Sequence, residues 1–191
     1  MKIFYSLIFF LLQMNYEKIE SKTSAIKVQR IAHNQNWSVY KSIDSNNDAR
    51  FFMECKGIFQ KSSDKNNLIF KDSEIIFAIE AKSVNKKLTF DSSIRIISKK
   101  AMFKSEVNSS LDFSKNHEHV FFSFDTYKNI ALLKDIKRNE ELISWCKKST
   151  NGLFKSIFCD NNAYVFNISF IGFTSAFNSL KSSADNFFHP K

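Results

Sequence analysis

Glycine and proline are nearly missing from this chain of 191 residues, which contains three glycines and one proline. A loop that wraps phosphate groups needs several closely spaced glycines, so the sequence excludes a phosphate loop. GxSxG and HExxH motifs are also absent, which removes two common signatures of hydrolases. Turns must instead be made by Asn, Asp and Ser, whose side chains bond to the local backbone and tolerate left-handed conformations.

Cysteine is scarce too, with three residues, and no CxxC or CxH spacing that would indicate a zinc finger. An exported chain with this odd count can form one disulfide and leave one thiol over. Cys146 and Cys159 are the closest pair in sequence and the disulfide candidate, since the bond would tie a helix to the strand that follows it. By the chain-entropy model, so short a loop contributes about 3 kcal/mol. The alternative is that Cys55, Cys146 and Cys159 are all small buried hydrophobes.

Long runs of like charge are absent, although the formal net charge is +9. A basic balance attracts nucleic acid, anionic lipid or acidic polysaccharide. The cations are scattered in pairs such as Lys86-Lys87 and Lys147-Lys148, which indicates a solvated basic surface. The 22 phenylalanines and an apolar fraction of 43% are ample for a core. Alternating Phe among lysines is therefore interpreted as the inward face of a sheet, not as a platform for nucleic-acid bases.

The N-terminus combines Lys2 with an apolar run from Ile3 to Leu12. That run is too short to span a bilayer as a helix but has the layout of a secretory signal peptide. We expect residues 1–25 to be removed after Ala25, with cleavage near Ser21 as the other choice; a buried N-terminal strand or helix is the alternative. No later run is long and apolar enough for a transmembrane segment. The expected location is periplasmic or secreted, where nucleic acid is not an expected partner.

Residues 26–191 contain no linker or repeat and predict a single domain. Short alternating or apolar stretches separated by Asn, Asp and Ser predict strands; these are 25–32, 37–40, 51–59, 74–80, 88–90, 94–97, 101–107, 120–124, 130–133, 153–159 and 163–170. Residues 108–116 are interpreted as a loop. Many short strands with regular turns favour a mainly β fold, an antiparallel β-sandwich or barrel-like domain.

Two short helices are predicted near the C-terminus. NEELISWCKK, residues 139–148, has Asn139 as its cap, acids in the first turn and lysines in the last, with Gly152 as a left-handed stop. A second helix, 175 to about 183, is capped by Thr174. ISFIGFTSAF, residues 168–177, joins the last strand to this helix, and Gly172 permits the sharp turn because it lacks a Cβ. Phe173 would then fill the space beneath the turn.

This stretch resembles the C-terminal signature of the bacterial invasion-associated locus B family, which runs roughly Tyr-Ser-Leu-X-Gly-Phe-Thr-Ala-Ala. Trp37 at the start of a strand, Cys55, and the helix ahead of the final hairpin fall in the family's order. The resemblance covers about residues 37–180. It implies an exported protein that takes part in contact between a bacterium and its host or in virulence. On this reading Trp37, Gly172 and Phe173 are structural residues.

Candidate chemistry is sparse. His117 and His119 would face the same way on a strand and could share a metal ion with a third ligand, such as Asp112 or His33. Nothing marks any cysteine as an activated thiolate. We therefore expect no enzyme activity, no cofactor and no metal site. The expected role is surface binding to an unknown protein or acidic surface ligand, including one derived from a host. The alternatives are a periplasmic envelope accessory protein, or a small metal-dependent enzyme that uses His117 and His119.

Overall fold

The computed structural model describes residues 27–44, 48–63, 75–84, 87–89, 94–99, 101–105, 107–115 and 117–190. The predicted signal peptide, with both of its candidate cleavage sites, lies outside the described residues.

Eleven strands and two α-helices make up the described part of the chain. The strands are Lys27–Asn34 (β1), Trp37–Ile43 (β2), Ala49–Ser62 (β3), Ile75–Val84 (β4), Lys87–Thr89 (β5), Arg95–Ser98 (β6), Ser109–Lys115 (β7), Glu118–Tyr127 (β8), Ile130–Leu133 (β9), Asn151–Ile157 (β10) and Ala163–Ser169 (β11). The helices are Asn139–Lys148 (α1) and Phe173–Phe188 (α2).

Eight of the strands close into an antiparallel barrel, in the order β3-β11-β10-β7-β8-β9-β6-β4, with β4 hydrogen-bonded back to β3. The long strand β3 makes this closure possible, because residues 51–57 pair with β4 along one edge while residues 57–62 pair with β11 along the other. The mainly β, barrel-like prediction is confirmed. Residues 49–55 of β3 pair with β2, so β1 and β2 extend the sheet beyond the barrel.

Aromatic rings fill the barrel interior. Alternate residues of each strand point inward, so β8 buries Phe122 and Phe124 and β10 buries Phe154. Phe103 and Phe158 are also buried, with ring centroids 4.7 Å apart. The abundance of phenylalanine in the sequence therefore serves mainly to pack the core.

The two helices add their apolar faces to the same core. Helix α1 buries Leu142, Ile143 and Cys146 at helical spacing. Helix α2 packs against β1 to β4. It continues past the expected end near residue 183, because Ala184 is buried and the Phe187 and Phe188 rings both contact Phe51. In the described part of the chain, no helix combines the length and apolarity that crossing a membrane requires.

Three predictions about helix ends are wrong. The residue before α1 is Arg138, which makes no side-chain cap hydrogen bond. The side-chain cap lies earlier, at Asp135, whose carboxylate accepts a hydrogen bond from the Lys137 N–H and begins a short 3₁₀ turn, Ile136–Arg138. Asn139 is instead the first residue of α1, buried, with neither side-chain amide atom hydrogen-bonded.

The other two wrong predictions concern glycines. Gly152 does not end α1 but lies inside β10, where a Cβ would crowd the Phe170 ring. The residue before α2 is Gly172, not Thr174, and it caps by backbone conformation.

Two predictions about strands also need correction. Residues 109–115, expected to be a loop, form β7, because Ser109, Leu111 and Phe113 alternate inward despite the polar composition of the stretch. The expected strand at 101–107 is reduced to one bridge between Phe103 and Phe158.

Candidate functional site

Trp37, Gly172 and Phe173 meet where β2 and α2 begin. Gly172 adopts φ 88° and ψ −4°, and a Cβ on it would lie 2.2 Å from the carbonyl oxygen of Asn34. An L side chain therefore fits neither the backbone conformation nor the space. Phe173 is fully buried, and its ring centroid lies 5.0 Å from that of Trp37.

The Trp37 side chain joins this turn to the end of β11. Its indole N–H donates a hydrogen bond to the Ser169 carbonyl at 3.0 Å, and the Cys55 thiol donates to the same oxygen at 3.4 Å. The Trp37 ring also contacts Phe77 and Phe170. These side chains are buried among one another and pack the strand-to-helix turn.

The three cysteines are free, so the candidate disulfide between Cys146 and Cys159 is not formed in the structure. Cys146 is buried on α1, whereas Cys159 is exposed just beyond β10. The seven residues of β10 separate them, and a strand of that length spans roughly 23 Å at about 3.3 Å per residue. The short sequence separation does not bring the two thiols together, because β10 runs along the barrel wall between them.

The buried thiols are poor nucleophiles. Burial raises the pKa of Cys55 to about 12, and burial likewise raises the pKa of Cys146 well above its ordinary value. A thiol in this range holds its proton at neutral pH and cannot attack an electrophile as thiolate. Cys159 is exposed and donates to the Phe103 carbonyl at 3.3 Å.

His117 and His119 do not form a metal centre with the neighbours proposed from the sequence. His117 lies in the turn before β8 with φ 68°, so it is not a strand residue aligned with His119. His119 is exposed and pairs across the sheet with Ser114. His33 is bonded to Ser38, and Asp112 to Lys155. Among the described residues, no group of three or more His, Cys, Asp or Glu side chains is placed to hold a metal ion.

An exposed strand lies in the ribbon, by which we mean strands β1 and β2. The first four residues of β1 are exposed, whereas Ile31 and Ala32 pack against the core and anchor the strand. One face of the ribbon lies against α2. The other face points away from the helix; on β2, Tyr40 is half-buried there and Ser42 is buried.

A row of four side chains crosses this outward face. Arg30 on β1 pairs with Tyr40 on β2, Tyr40 with Phe52 on β3, and Phe52 with Glu80 on β4. The Tyr40 and Phe52 rings stack with centroids 5.2 Å apart and planes 18° from parallel. Glu80 is buried and bonded to Arg95, so Arg30 is the exposed charge of the row.

The two strands of the ribbon contain basic residues and no acidic residue. Lys27 and Arg30 are exposed, and β1 contains no acidic residue. Lys41, on the helix side of β2, lies 4.2 Å from the centroid of the Phe187 ring. The carboxylates of Asp44 and Asp48 also lie at this end of the ribbon, and the Asp44 carboxylate accepts a hydrogen bond from the Asp48 backbone N–H at 2.9 Å. The ribbon can therefore attract an acidic partner.

A second apolar feature runs around the barrel wall. Ile58, Leu153 and Phe121 are exposed on β3, β10 and β8, with Asn167 and Asp112 between them in register. Asn167 is on β11 and Asp112 is on β7, so the five side chains come from five consecutive strands of a closed barrel of eight. They therefore spread around the wall and do not share one flat face. This arrangement is less suited to a single partner than the ribbon is.

Sequence reasoning did not single out the ribbon. The stretch Lys27-Val28-Gln29-Arg30 has one apolar residue among three polar ones, which indicates a strand with little buried surface. The pairing of Tyr40 with Phe52 depends on strand register, which composition does not reveal.

Comparison of the chain with protein-family models, with curated proteins and with solved structures gives no match.

Proposed function

We propose that the protein is an exported, non-catalytic binding protein whose ribbon contacts an acidic surface ligand. The observation that carries this proposal is the exposed, cationic outer end of the ribbon, where Lys27 and Arg30 stand without a carboxylate on the same strand. Electrostatic attraction of this kind favours encounter with acidic surfaces and weakens as salt is added.

The barrel interior is filled, which favours a function on the outer surface of the protein over catalysis inside the barrel. Its interior is occupied by aromatic side chains such as Phe122, Phe124 and Phe154. The buried thiols keep their protons, and the His117 and His119 pair lacks a third ligand among the described residues. A metal-dependent reaction at these histidines is therefore the weakest of the three functions considered from the sequence.

Two settings are consistent with this binding role. The resemblance to the invasion-associated locus B family suggests contact with a host. The alternative is an accessory protein of the bacterial envelope that stays in the periplasm. Surface display or release distinguishes them, because a protein confined to the periplasm cannot meet a host cell.

The first experiment is the intact mass of the protein recovered from cell fractions. Export predicts a mass lacking residues 1–25, or ending near Ser21, in the periplasm or medium. A full-length protein in the cytoplasm would contradict the proposal.

The second experiment measures binding of the exported form to intact host cells and to isolated bacterial envelope. The variant K27E/R30E should bind at least several-fold less, since each exposed cation contributes by attraction at low salt. The matched control is K128E/K137E, which makes the same charge change outside the ribbon. Equal losses in both variants would mean that net charge alone drives binding, and would remove the ribbon from the proposal.

A further inference from the structure

Strand β1 is an edge strand of the sheet in the residues that the structure describes. Its only strand partner in the described part of the chain is β2. On an antiparallel edge strand, every second residue directs its N–H and C=O away from the sheet, where they can pair with another strand. Lys27 to Arg30 leave this edge accessible, because their side chains are exposed on both faces.

Charge determines which strand the edge can accept. Two copies of β1 side by side would bring Lys27 and Arg30 of each copy close to one another, and like charges on neighbouring strands are destabilising. The same cations stabilise a strand that carries carboxylates. The edge therefore disfavours pairing with a second copy of β1 and favours an acidic segment, because repulsion of the wrong partner contributes to specificity.

Side-chain positions along β1 refine the pattern. Val28 and Arg30 point to the outward face, where they pair with Ser42 and Tyr40. Val28 is 48% exposed and offers apolar surface. An added strand places alternate side chains on that face, so the matching segment has an apolar residue beside Val28 and an acidic residue two positions away, beside Arg30.

An irregularity in the pairing of β1 limits the length of the site. The register with β2 shifts between Arg30 and Ala32 and then resumes from Ala32 paired with Val39 to Asn34 paired with Trp37, so the bulge bends β1 and interrupts its regular edge. Beyond the shift, Ile31 and Ala32 are partly buried against the core. The accessible edge is consequently the short stretch Lys27–Arg30, whose backbone groups a peptide can reach.

We infer that the edge of β1 binds an extended acidic peptide segment, which adds to the sheet as a further strand with a carboxylate beside Arg30 and an apolar side chain beside Val28. Main-chain hydrogen bonds supply affinity and the alternating side chains supply selectivity, as in other strand-addition complexes. This inference rests on the proposed function and names its partner as a protein segment.

The test is amide hydrogen exchange of the full exported chain with a synthetic peptide of alternating Glu and Val. Amides of residues 27–30 that face the edge should exchange about tenfold more slowly when the site is nine-tenths occupied. A peptide of the same sequence with N-methyl groups on alternate residues keeps the charge but cannot form the strand pairing, and it should give no protection.

A charge swap provides the second arm. K27E/R30E should lose protection by the Glu-Val peptide and gain it with a Lys-Val peptide. K128E/K137E should behave like the parent protein. Because Lys27 and Arg30 are exposed, the swap leaves the core contacts unchanged.

The other outcomes are distinct. Equal protection by the N-methylated peptide, or by an acidic polysaccharide, would overturn strand addition while leaving the proposed binding to acidic ligands intact. Protection that rises with protein concentration alone would mean that a second copy occupies the edge. If no acidic probe protects β1, the strand-addition inference falls, and the host-cell and envelope binding of K27E/R30E then decides whether the proposed function falls with it.

Discussion

At the scale of single residues, Gly172 is the glycine at which an added Cβ would be most crowded by a neighbouring part of the backbone. The carbonyl of Asn34, in the turn between β1 and β2, occupies the position that any Cβ at residue 172 would need. A glycine that the sequence places between a strand and a helix is thus also the point where the ribbon meets α2. The packing of Trp37 and Phe173 depends on this contact.

Replacing Gly172 by Ala is expected to destabilise the protein by at least 1–3 kcal/mol, roughly the cost of a strained backbone conformation, with the clash added. The measurement is the midpoint and slope of urea unfolding. I171A is the matched control, because Ile171 is exposed next to it and should change stability by less than about 0.5 kcal/mol. A Gly172 variant as stable as the control would mean that Asn34 moves away at little cost.

At the scale of elements, the β10–β11 hairpin is fixed by its turn. The Tyr164 ring is buried while its hydroxyl donates a hydrogen bond to the Asp160 carboxylate, and the Asp160 carboxylate also accepts from the Asn162 N–H at 3.0 Å. Asn161 takes a left-handed conformation with φ 65°, as an Asn in a tight turn can. Polar side chains here replace the glycines that the chain lacks.

Tyr164 makes the stability of this hairpin depend on pH. Burial raises the pKa of Tyr164 from 10.0 to about 12, and the adjacent Asp160 carboxylate adds to the effect. The folded protein therefore holds the phenol proton more tightly than the unfolded chain, so this contribution is complete below pH 10 and is lost as the pH rises towards 12.

We expect Y164F to lower the free energy of unfolding at pH 8 by about 1–3 kcal/mol, through loss of a hydrogen bond to a carboxylate. The difference between parent and variant should shrink from pH 10 to 12. Urea unfolding across that range gives the measurement, and Y127F, at an exposed tyrosine, is the control. A difference that stays constant with pH would show that the pKa of Tyr164 is the same in the folded and the unfolded protein.

At the scale of the whole molecule, one core joins the barrel to both helices. Cys55 on β3 and Cys146 on α1 belong to the same set of buried side chains. A closed barrel has no strand that can separate without breaking pairings on both sides. The barrel and helices should therefore unfold together.

Thiol labelling tests that cooperativity. In the native protein, iodoacetamide should modify Cys159 alone, and Cys55 and Cys146 should become reactive in one common transition as denaturant is added. The readout is the intact mass together with peptide mapping, and C159S is the control that removes the native signal. Labelling of only one thiol in the denatured, unreduced protein would instead reveal a disulfide; two separate transitions would contradict a single core.

The sequence by itself determined the strand-rich architecture, the position of α1, the final hairpin and the glycine turn at 172, because these depend on local alternation, helical spacing and turn chemistry. It could not determine the free state of Cys146 and Cys159, since their separation is set by the direction of β10 across the barrel. Nor could it reveal β7, whose serines hide its alternation, or the side-chain cap at Asp135. Only the tertiary structure decided the position of the ribbon: β3 pairs with β2 and then with β11 along one edge, so β1 and β2 lie outside the barrel and β1 is an edge strand among the described residues.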